Sequence, residues 1–432
     1  MSLRSRGPLR SATRTAQVLS RFGASTASMA HRLARYRAIT GALGVRPTWP
    51  TTACVLARHP DLLRSQVEQG AELALHGLVH GDHAALDRAH QRVAIARAVE
   101  IFERYGIRPT GFRGPYLRYN QCTLAVLREL GLRYHSSQAV SFPLHRGDPG
   151  PGRAGDSYRL ALQLYGALDA RHVAVTPRLR DGLVDIPVAV PDDEILIDRL
   201  AVPRPARAAE WLHVLDTTHR RGELFTLQLH PERIPDLGEA LGATLTEARR
   251  RRPGIYIATL DEIASWWLRR DKFTLAVTQI EAGRHRVRLD ADGDATLVTR
   301  GIEAGTPWYG GYSVARGTDL EVHSPRIPLV GVSRRSPPAV RHFLSEEGFP
   351  IRVSDDAGAF GGFIDADPTS WTETEILARL DDAPGPLARI WRWPSGARSA
   401  LAVTGDIDAL TLFDFAVRSW ETRAAATIGG HP

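Results

Sequence analysis

Apolar positions over residues 29–270 alternate between short continuous runs and segments with a helical period. The continuous runs, typical of strands buried on both faces, are Glu72–Leu75, Gly111–Phe112, Leu183–Val190, Leu224–Leu229 and Gly254–Thr259. The amphipathic segments between them are Met29–Leu43, His90–Tyr105, Thr123–Leu130, Ala206–Arg220 and Leu237–Arg249. Strands that alternate with helices predict a parallel sheet with covering helices, either a barrel or an open sheet.

The pattern changes after Trp267. Residues 273–335 alternate between apolar and polar positions with Gly and Asp turns, which predicts a small antiparallel β module. Residues 336–432 predict a short α/β segment that ends in a strand at Ser399–Thr404 and a helix at Leu410–Ser419. Residues 1–28 show no period and are rich in Arg, Ser, Thr and Ala, so we expect them to be disordered.

Composition and charge exclude several classes of protein. The 432 residues are 43% hydrophobic and 24% charged, an ordinary globular balance. The net charge of +7 raises the question of nucleic acid, but the basic residues are spread along the chain and Lys272 is the only lysine, so we expect no nucleic-acid partner. No apolar run reaches the roughly 18 residues that a membrane span needs, and the N terminus lacks a secretory pattern, so we expect a cytoplasmic protein.

One candidate metal site lies directly after a predicted strand, in the run Leu73-Ala-Leu-His76-Gly-Leu-Val-His80. A helical turn would bring two histidines four positions apart onto one face. Neutral imidazoles bind Zn²⁺ and related metals, and two of them leave coordination positions for a carboxylate and water. The spacing alone is equally compatible with a structural pair.

Two further polar motifs follow strands, where parallel α/β folds gather their functional residues. They are Gly111-Phe-Arg113-Gly-Pro-Tyr116-Leu-Arg-Tyr-Asn120 and Leu227-Gln-Leu-His230-Pro-Glu-Arg233. With the histidine pair, these motifs resemble those of the polysaccharide deacetylase (NodB-homology) family, also called carbohydrate esterase family 4. The resemblance covers roughly residues 30–270 and implies a distorted (β/α) barrel.

The resemblance also implies a role for each motif residue. His76 and His80 would hold a divalent metal, with Zn²⁺ the leading expectation, and Arg113 would orient a catalytic carboxylate. The backbone N–H of Tyr116 would contribute to an oxyanion hole, and His230 would be the general acid. The implied activity is removal of N-acetyl groups from an acetylated carbohydrate, with O-acetyl and cyclic amide substrates as alternatives.

The sequence departs from the family at its beginning. The family opens with a strand that ends in Thr-Phe-Asp-Asp-Gly or an Asp-x-Asp variant, which supplies the general base and a third metal ligand. Here no Asp or Glu precedes Asp61, but the strand Ser399–Thr404 runs into Gly-Asp406-Ile-Asp408. If this strand completes the first domain, the chain is circularly permuted in effect, with Asp406 as the base and Asp408 as the third ligand.

Four alternatives remain open at this point. The distal strand could begin a second deacetylase-like domain, or its two aspartates could only cap a helix. Asp192 and Asp193, or Asp82, could supply the carboxylate instead. The site could also lack a base, which would make the protein an inactive deacetylase-fold homologue that binds carbohydrate or a partner. The distance from the two distal aspartates to the histidine pair distinguishes these cases.

Overall fold

The computed structural model describes residues 21–428, without the side chains of residue 419 and residues 423–428. The α-helices are α1 (Ala27–Gly41), α2 (Ala53–Arg58), α3 (Pro60–Glu68), α4 (Arg88–Arg104), α5 (Gln121–Glu129), α6 (Arg153–Tyr165), α7 (Arg207–Arg221), α8 (Ile234–Arg250), α9 (Leu260–Arg270), α10 (Pro338–Glu346), α11 (Glu373–Asp381) and α12 (Leu412–Ile428).

The strands are β1 (Thr48–Thr51), β2 (Glu72–Leu75), β3 (Gly111–Phe112), β4 (Tyr134–His135), β5 (Ala139–Ser141), β6 (Leu168–Asp169), β7 (Arg178–Arg180), β8 (Leu183–Asp185), β9 (Val188–Val190), β10 (Leu224–Gln228), β11 (Ile255–Ile257), β12 (Thr274–Glu281), β13 (Arg284–Asp290), β14 (Leu297–Arg300), β15 (Gly305–Tyr309), β16 (Tyr312–Ala315), β17 (Asp319–His323), β18 (Ile327–Val332), β19 (Ile351–Val353), β20 (Phe360–Ile364), β21 (Leu387–Ile390) and β22 (Ser399–Thr404).

Only part of the predicted disordered segment, residues 1–28, lies within the described residues. Residues 1–20 lie outside the described residues. Residues 27 and 28 already belong to α1, which buries Met29, Leu33 and Tyr36 at helical spacing. The first helix therefore begins two residues earlier than its hydrophobic period indicates.

A nine-stranded sheet forms the centre of the fold, in the order β10-β22-β1-β2-β3-β4-β8-β7, with β11 also pairing with β22. Neighbouring strands are parallel except β7 and β8, and the sheet curls into a half barrel. Helices and sheet together bury a large apolar core. The predicted α/β class with a distorted barrel is confirmed.

Strand β22 lies inside this sheet although the chain reaches it only after the β module and the α/β segment. It pairs in parallel with β10 over five positions, from Leu224↔Ala400 to Gln228↔Thr404, and with β1 at Thr48↔Thr404. All six of its residues are buried, because the strand contributes to apolar cores on both faces of the sheet. The distal strand therefore sits beside β1 and β10, the strands that precede α2 and His230.

The β module differs from the prediction in two strands. Two antiparallel sheets form, β12-β13-β17 and β15-β16-β14-β21, and the second includes β21, which lies in the predicted C-terminal segment. Strand β18, which falls within the predicted module, instead pairs in parallel with β19 and β20 of the C-terminal α/β segment. Its last five residues are all buried, as in a strand covered on both faces rather than one that alternates.

The predicted strand Leu183–Val190 is two strands in different sheets. Leu183–Asp185 joins the main sheet, whereas Val188–Val190 pairs with β5 in a separate three-stranded sheet. Pro187 lies between them and has no N–H to donate to a ladder, which is consistent with a break at this point. No helix in the described part of the chain combines the length and apolar character that crossing a bilayer would need.

A buried ion cluster joins the C-terminal α/β segment to the barrel. The Glu347 carboxylate accepts hydrogen bonds from Arg389 Nη2 and Arg392 Nε, both at 2.8 Å. Arg392 also donates to the carbonyl of Arg221, at the end of α7, at 2.8 Å. Burial alone would raise the pKa of Glu347, but the neighbouring arginines lower it to about 2. The carboxylate is therefore ionised and paired at the junction.

Candidate metal centre and active site

The histidine pair follows β2 in a bend rather than in the helical turn that the spacing predicted. Gly77 has a φ of +83°, and a Cβ there would lie 2.7 Å from His83 Nε2, so this position favours glycine. The bend still brings the rings of His76 and His80 together, with their centroids 5.1 Å apart. Both side chains are buried, at 0% and 7% exposure.

His76 is oriented by a backbone contact. Its Nδ1 lies 2.8 Å from the carbonyl oxygen of Arg113, and because a carbonyl only accepts hydrogen bonds, Nδ1 carries the proton. The lone pair of Nε2 then has no hydrogen-bond partner among the described residues, although the atom is buried. A histidine held in this tautomer by a carbonyl is a common arrangement for a metal ligand.

The distal aspartates lie at the same place. His76 Nε2 is 3.6 Å from Asp406 Oδ2 and 3.4 Å from Asp408 Oδ1, and His80 Nε2 is 3.3 Å from Asp408 Oδ2. Gly405 makes this possible, since a Cβ there would lie 2.1 Å from the Leu229 carbonyl oxygen. Asp408 Oδ1 also lacks a hydrogen-bond partner within the described range.

The chemistry and spacing of these atoms fit a divalent ion. His76, His80 and Asp408 form the cluster within residues 21–428 whose ligand atoms all lie within 4.8 Å of one another. A tetrahedral ion with bonds of about 2.1 Å separates its ligand atoms by about 3.4 Å, close to the separations from the histidine nitrogens to Asp408. Burial lowers the pKa of His80 to about 3, which keeps its imidazole neutral. Two imidazole nitrogens and a carboxylate form a set of electron-pair donors that a cation satisfies.

Asp406 is held by groups from two strand ends. Arg113 Nη1 donates to its Oδ1 at 3.1 Å, although the two residues are 293 positions apart, and Gln228 Nε2 donates to its Oδ2 at 3.2 Å. Arg113 is fully buried and also donates to Thr404 Oγ1 at 2.8 Å and to the Ser136 carbonyl at 2.9 Å. The guanidinium therefore holds the carboxylate in place.

His230 forms a dyad with Asp193 at the end of β10. Its Nδ1 lies 2.9 Å from both carboxylate oxygens, and its backbone N–H donates to the same carboxylate at 2.9 Å. Burial would lower the pKa of His230, but the charge of Asp193 raises it well above the ordinary value. For Asp193, burial would raise the pKa, but the charges of His230 and Arg233 lower it to about 2. The pair is therefore an imidazolium held by a carboxylate.

The other candidate carboxylates have different partners. Asp193 is taken by His230, and Asp192 accepts from the backbone N–H of Ile195 at 2.8 Å. Asp82 caps the 3₁₀ turn that begins at His83 and forms an ion pair with Arg118 at 2.9 Å. None of the three belongs to the cluster around the histidine pair in the described part of the chain.

Tyr116 borders the histidine pair. Its backbone is left-handed, with φ +61° and ψ +17°, a conformation that costs a non-glycine residue about 1 kcal/mol or more. The ring meets that of His80 edge-on at 4.5 Å, and 47% of the residue is exposed. Asn120 ends the motif with a capping box on α5. The strained turn thus carries the Tyr116 backbone to the rim of the site.

Sequence reasoning missed three partners in this site. Gln228 lies two residues before His230 inside a recognised motif, so its inward direction could have been read from strand alternation. Asp193 was considered only as a substitute metal ligand. Arg418 of α12 donates to Asp408 Oδ2 at 2.7 Å, and nothing in the sequence indicates this contact.

Comparison with known proteins gives a partial match. Residues 38–135 match the family model described as polysaccharide deacetylase. A peptidoglycan deacetylase-like protein of Gibberella zeae is 33% identical over 91 residues, which is 21% of this chain and 27% of that protein. The chain thus spans about a quarter of the length of this relative. The segment that matches the family model, residues 38–135, contains His76, His80, Arg113 and Tyr116, but neither His230 nor the distal aspartates.

Two of the solved structures similar to this chain are described as polysaccharide deacetylases. A putative polysaccharide deacetylase from Mycobacterium smegmatis is 23% identical, with a TM-score of 0.43, over 58% of this chain and 81% of that chain. A probable polysaccharide deacetylase from Pseudomonas aeruginosa is 18% identical, with a TM-score of 0.42, over 56% and 73% of the two chains.

Proposed function

Because residues 38–135 of this chain belong to the polysaccharide deacetylase family, we propose that the protein is a metal-dependent hydrolase that removes N-acetyl groups from a carbohydrate. The match supports a hydrolase that acts on carbon–nitrogen bonds. The observation that carries the proposal is the meeting of two parts of the chain. The histidine pair comes from the matched segment, and the carboxylates that it needs come from the segment directly after β22.

Asp406 acts as the general base in this proposal. Its carboxylate takes a proton from the attacking water, whose oxygen forms a bond to the acetyl carbonyl carbon. Arg113 and Gln228 hold one oxygen each, so the carboxylate is already oriented before substrate binds. A divalent ion held by His76, His80 and Asp408, Zn²⁺ above all, would supply Lewis acidity for the carbonyl and for the water.

His230 completes the reaction. The carbon–nitrogen bond breaks, and the imidazolium gives its proton to the leaving nitrogen, so that acetate and a free amine result. The Asp193 contact keeps His230 protonated, which a general acid requires. The backbone N–H of Tyr116 would stabilise the developing oxyanion from the rim.

The test combines metal analysis with an activity assay. Purified protein incubated with Zn²⁺ and freed of excess metal should retain about one ion per chain and release acetate from tri-N-acetylchitotriose. His76→Ala should lose both the metal and the activity. Asp406→Asn should keep the metal, because Asp406 lies outside the three-residue cluster, and lose about 10²–10⁴-fold in rate.

His90→Ala is the matched control, since His90 lies on α4 and contacts Asp87 rather than the site. It should behave as the native protein. Native protein that binds metal but hydrolyses no acetylated oligosaccharide would favour an inactive homologue that binds carbohydrate or a partner. Native protein without metal would overturn the proposal altogether.

A further inference from the structure

A cavity of about 690 Å³ lies where the barrel meets the C-terminal α/β segment. Its wall includes Tyr119, Gln138, Thr176, Arg180 and Asp185 from the barrel, and His342 and Glu373 from the α/β segment. Its volume is in the usual range for a small-molecule site. The residues of the metal centre do not line it.

Two buried polar side chains of this wall lack partners. Asp185 is 8% exposed, and its Oδ1 has no hydrogen-bond partner among residues 21–428. His135 Nε2 lies 3.4 Å from this oxygen without making a hydrogen bond to it, and the His135 ring is buried. Thr176 is 2% exposed, and its Oγ1 is also without a partner within that range. Buried polar groups of this kind are destabilising unless something else satisfies them.

The remaining charges of the wall are largely paired with one another. Arg178 contacts Glu373 at 2.6 Å, and Arg128 contacts Asp181 at 3.0 Å. Arg180 has no ion-pair partner in the described part of the chain. One carboxylate and one guanidinium therefore remain for a ligand, so the unpaired charge of the wall is close to zero.

We propose that this cavity binds a neutral polyhydroxylated ligand, a saccharide unit. Hydroxyl groups both donate and accept hydrogen bonds, so one ligand can donate to Asp185, accept from Arg180 and do either with Thr176. The Tyr119 ring and the side chains of Val140 and Leu168 give the wall an apolar part for the faces of a sugar ring. An anionic ligand would lie beside the buried carboxylate of Asp185, and a cationic ligand would lie beside the unpaired guanidinium of Arg180.

This second sugar site does not depend on the proposed hydrolysis. Its residues come partly from the α/β segment, which lies outside the matched family segment. Together, the two sites would let the protein hold a polymer at one place while acetyl groups are removed at another. Loss of either site should leave binding at the other intact.

The experiment is a calorimetric titration with tri-N-acetylchitotriose in the His76→Ala background, which removes turnover. We expect binding whose Kd rises about tenfold in Asp185→Asn and about fivefold in Thr176→Val, as charged and neutral hydrogen bonds are lost. Asp319→Asn is the matched control, because its carboxylate is exposed, is paired with Arg286 and does not line the cavity, and it should leave Kd unchanged.

Thermal unfolding of each variant checks that the fold is kept. If one of the two wall variants fails to fold, the other still tests the inference. A parent protein that does not bind the trisaccharide, or wall variants that bind as tightly as the parent, would overturn the inference. The native protein could hydrolyse nothing while binding still weakens in Asp185→Asn and Thr176→Val. That result would support this site and count only against the proposed deacetylation.

Discussion

Gly405→Ala tests whether the position of β22 controls the site. Gly405 connects the last strand residue, Thr404, to Asp406, and it passes close to the end of β10. An alanine Cβ there would lie 2.1 Å from the Leu229 carbonyl oxygen and 2.9 Å from the Trp49 ring. Ordinary van der Waals contact begins near 3.4 Å, so the segment that carries the two aspartates has to move by about 1 Å.

The expected effects follow from that displacement. Overpacking of this kind costs about 1–3 kcal/mol of stability. A displacement of about 1 Å in a catalytic group costs about 10²-fold in rate. Asp406 would leave the Arg113 and Gln228 contacts, which are near the long end of hydrogen-bond range at 3.1 and 3.2 Å. We therefore expect kcat/KM for acetate release to fall about hundredfold, while the protein remains folded.

Gly254→Ala provides the control. Gly254 precedes β11, which also pairs with β22, but a Cβ at this position meets nothing within 4 Å. This variant should keep native kcat/KM and native thermal stability in a fluorescence melt. Full activity in Gly405→Ala would mean that the close approach of β22 to β10 does not position Asp406, and the assignment of the base would fail with it.

Three further outcomes follow from the structure. Arg418→Met should weaken Zn²⁺ binding about tenfold in a chelator competition, because Asp408 loses the donor that orients it. Tighter Zn²⁺ binding would show instead that repulsion between the Arg418 guanidinium and the ion outweighs this orientation of Asp408. Asp193→Asn should move the alkaline limit of the pH–rate profile to lower pH, since His230 loses the contact that raises its pKa; an unmoved limit would remove His230 as the acid. Glu347, with its pKa lowered from 4.5 to about 2, stabilises the fold above pH 4.5, and this contribution disappears as pH falls towards 2. Glu347→Gln should flatten that part of the stability curve, measured by denaturant unfolding, and an unchanged slope would exclude the ion cluster as its source.

Local patterns were sufficient to predict much of the barrel. Strands covered on both faces appear as continuous apolar runs, and β2, β3 and β22 lie at the predicted positions. The bend after β2 was not predicted, because His76 and His80 at four-residue spacing are equally compatible with a helical turn. The left-handed glycine between them, Gly77, was the available signal for a bend.

The partners of the site residues were harder to predict. The position of β22 between β10 and β1 depends on contacts between residues far apart in the sequence, which a local pattern does not contain. Only the Asp-x-Asp ending pointed to it. Arg418 was beyond sequence reasoning, since an arginine on a helix of mixed polarity is as compatible with solvent as with Asp408. The ion cluster at Glu347 was also missed, because it joins residues that are far apart in the sequence.

The most direct test of the metal centre is a crystal structure of the protein grown with Zn²⁺, with anomalous diffraction recorded at the zinc edge. We expect one anomalous peak, bound by the Nε2 atoms of His76 and His80 and by the Asp408 carboxylate at about 2.0–2.2 Å. Asp406 should lie beside the peak while still held by Arg113. A peak elsewhere, or a peak on the two histidines with Asp408 turned away, would contradict the completion of this site by the distal strand.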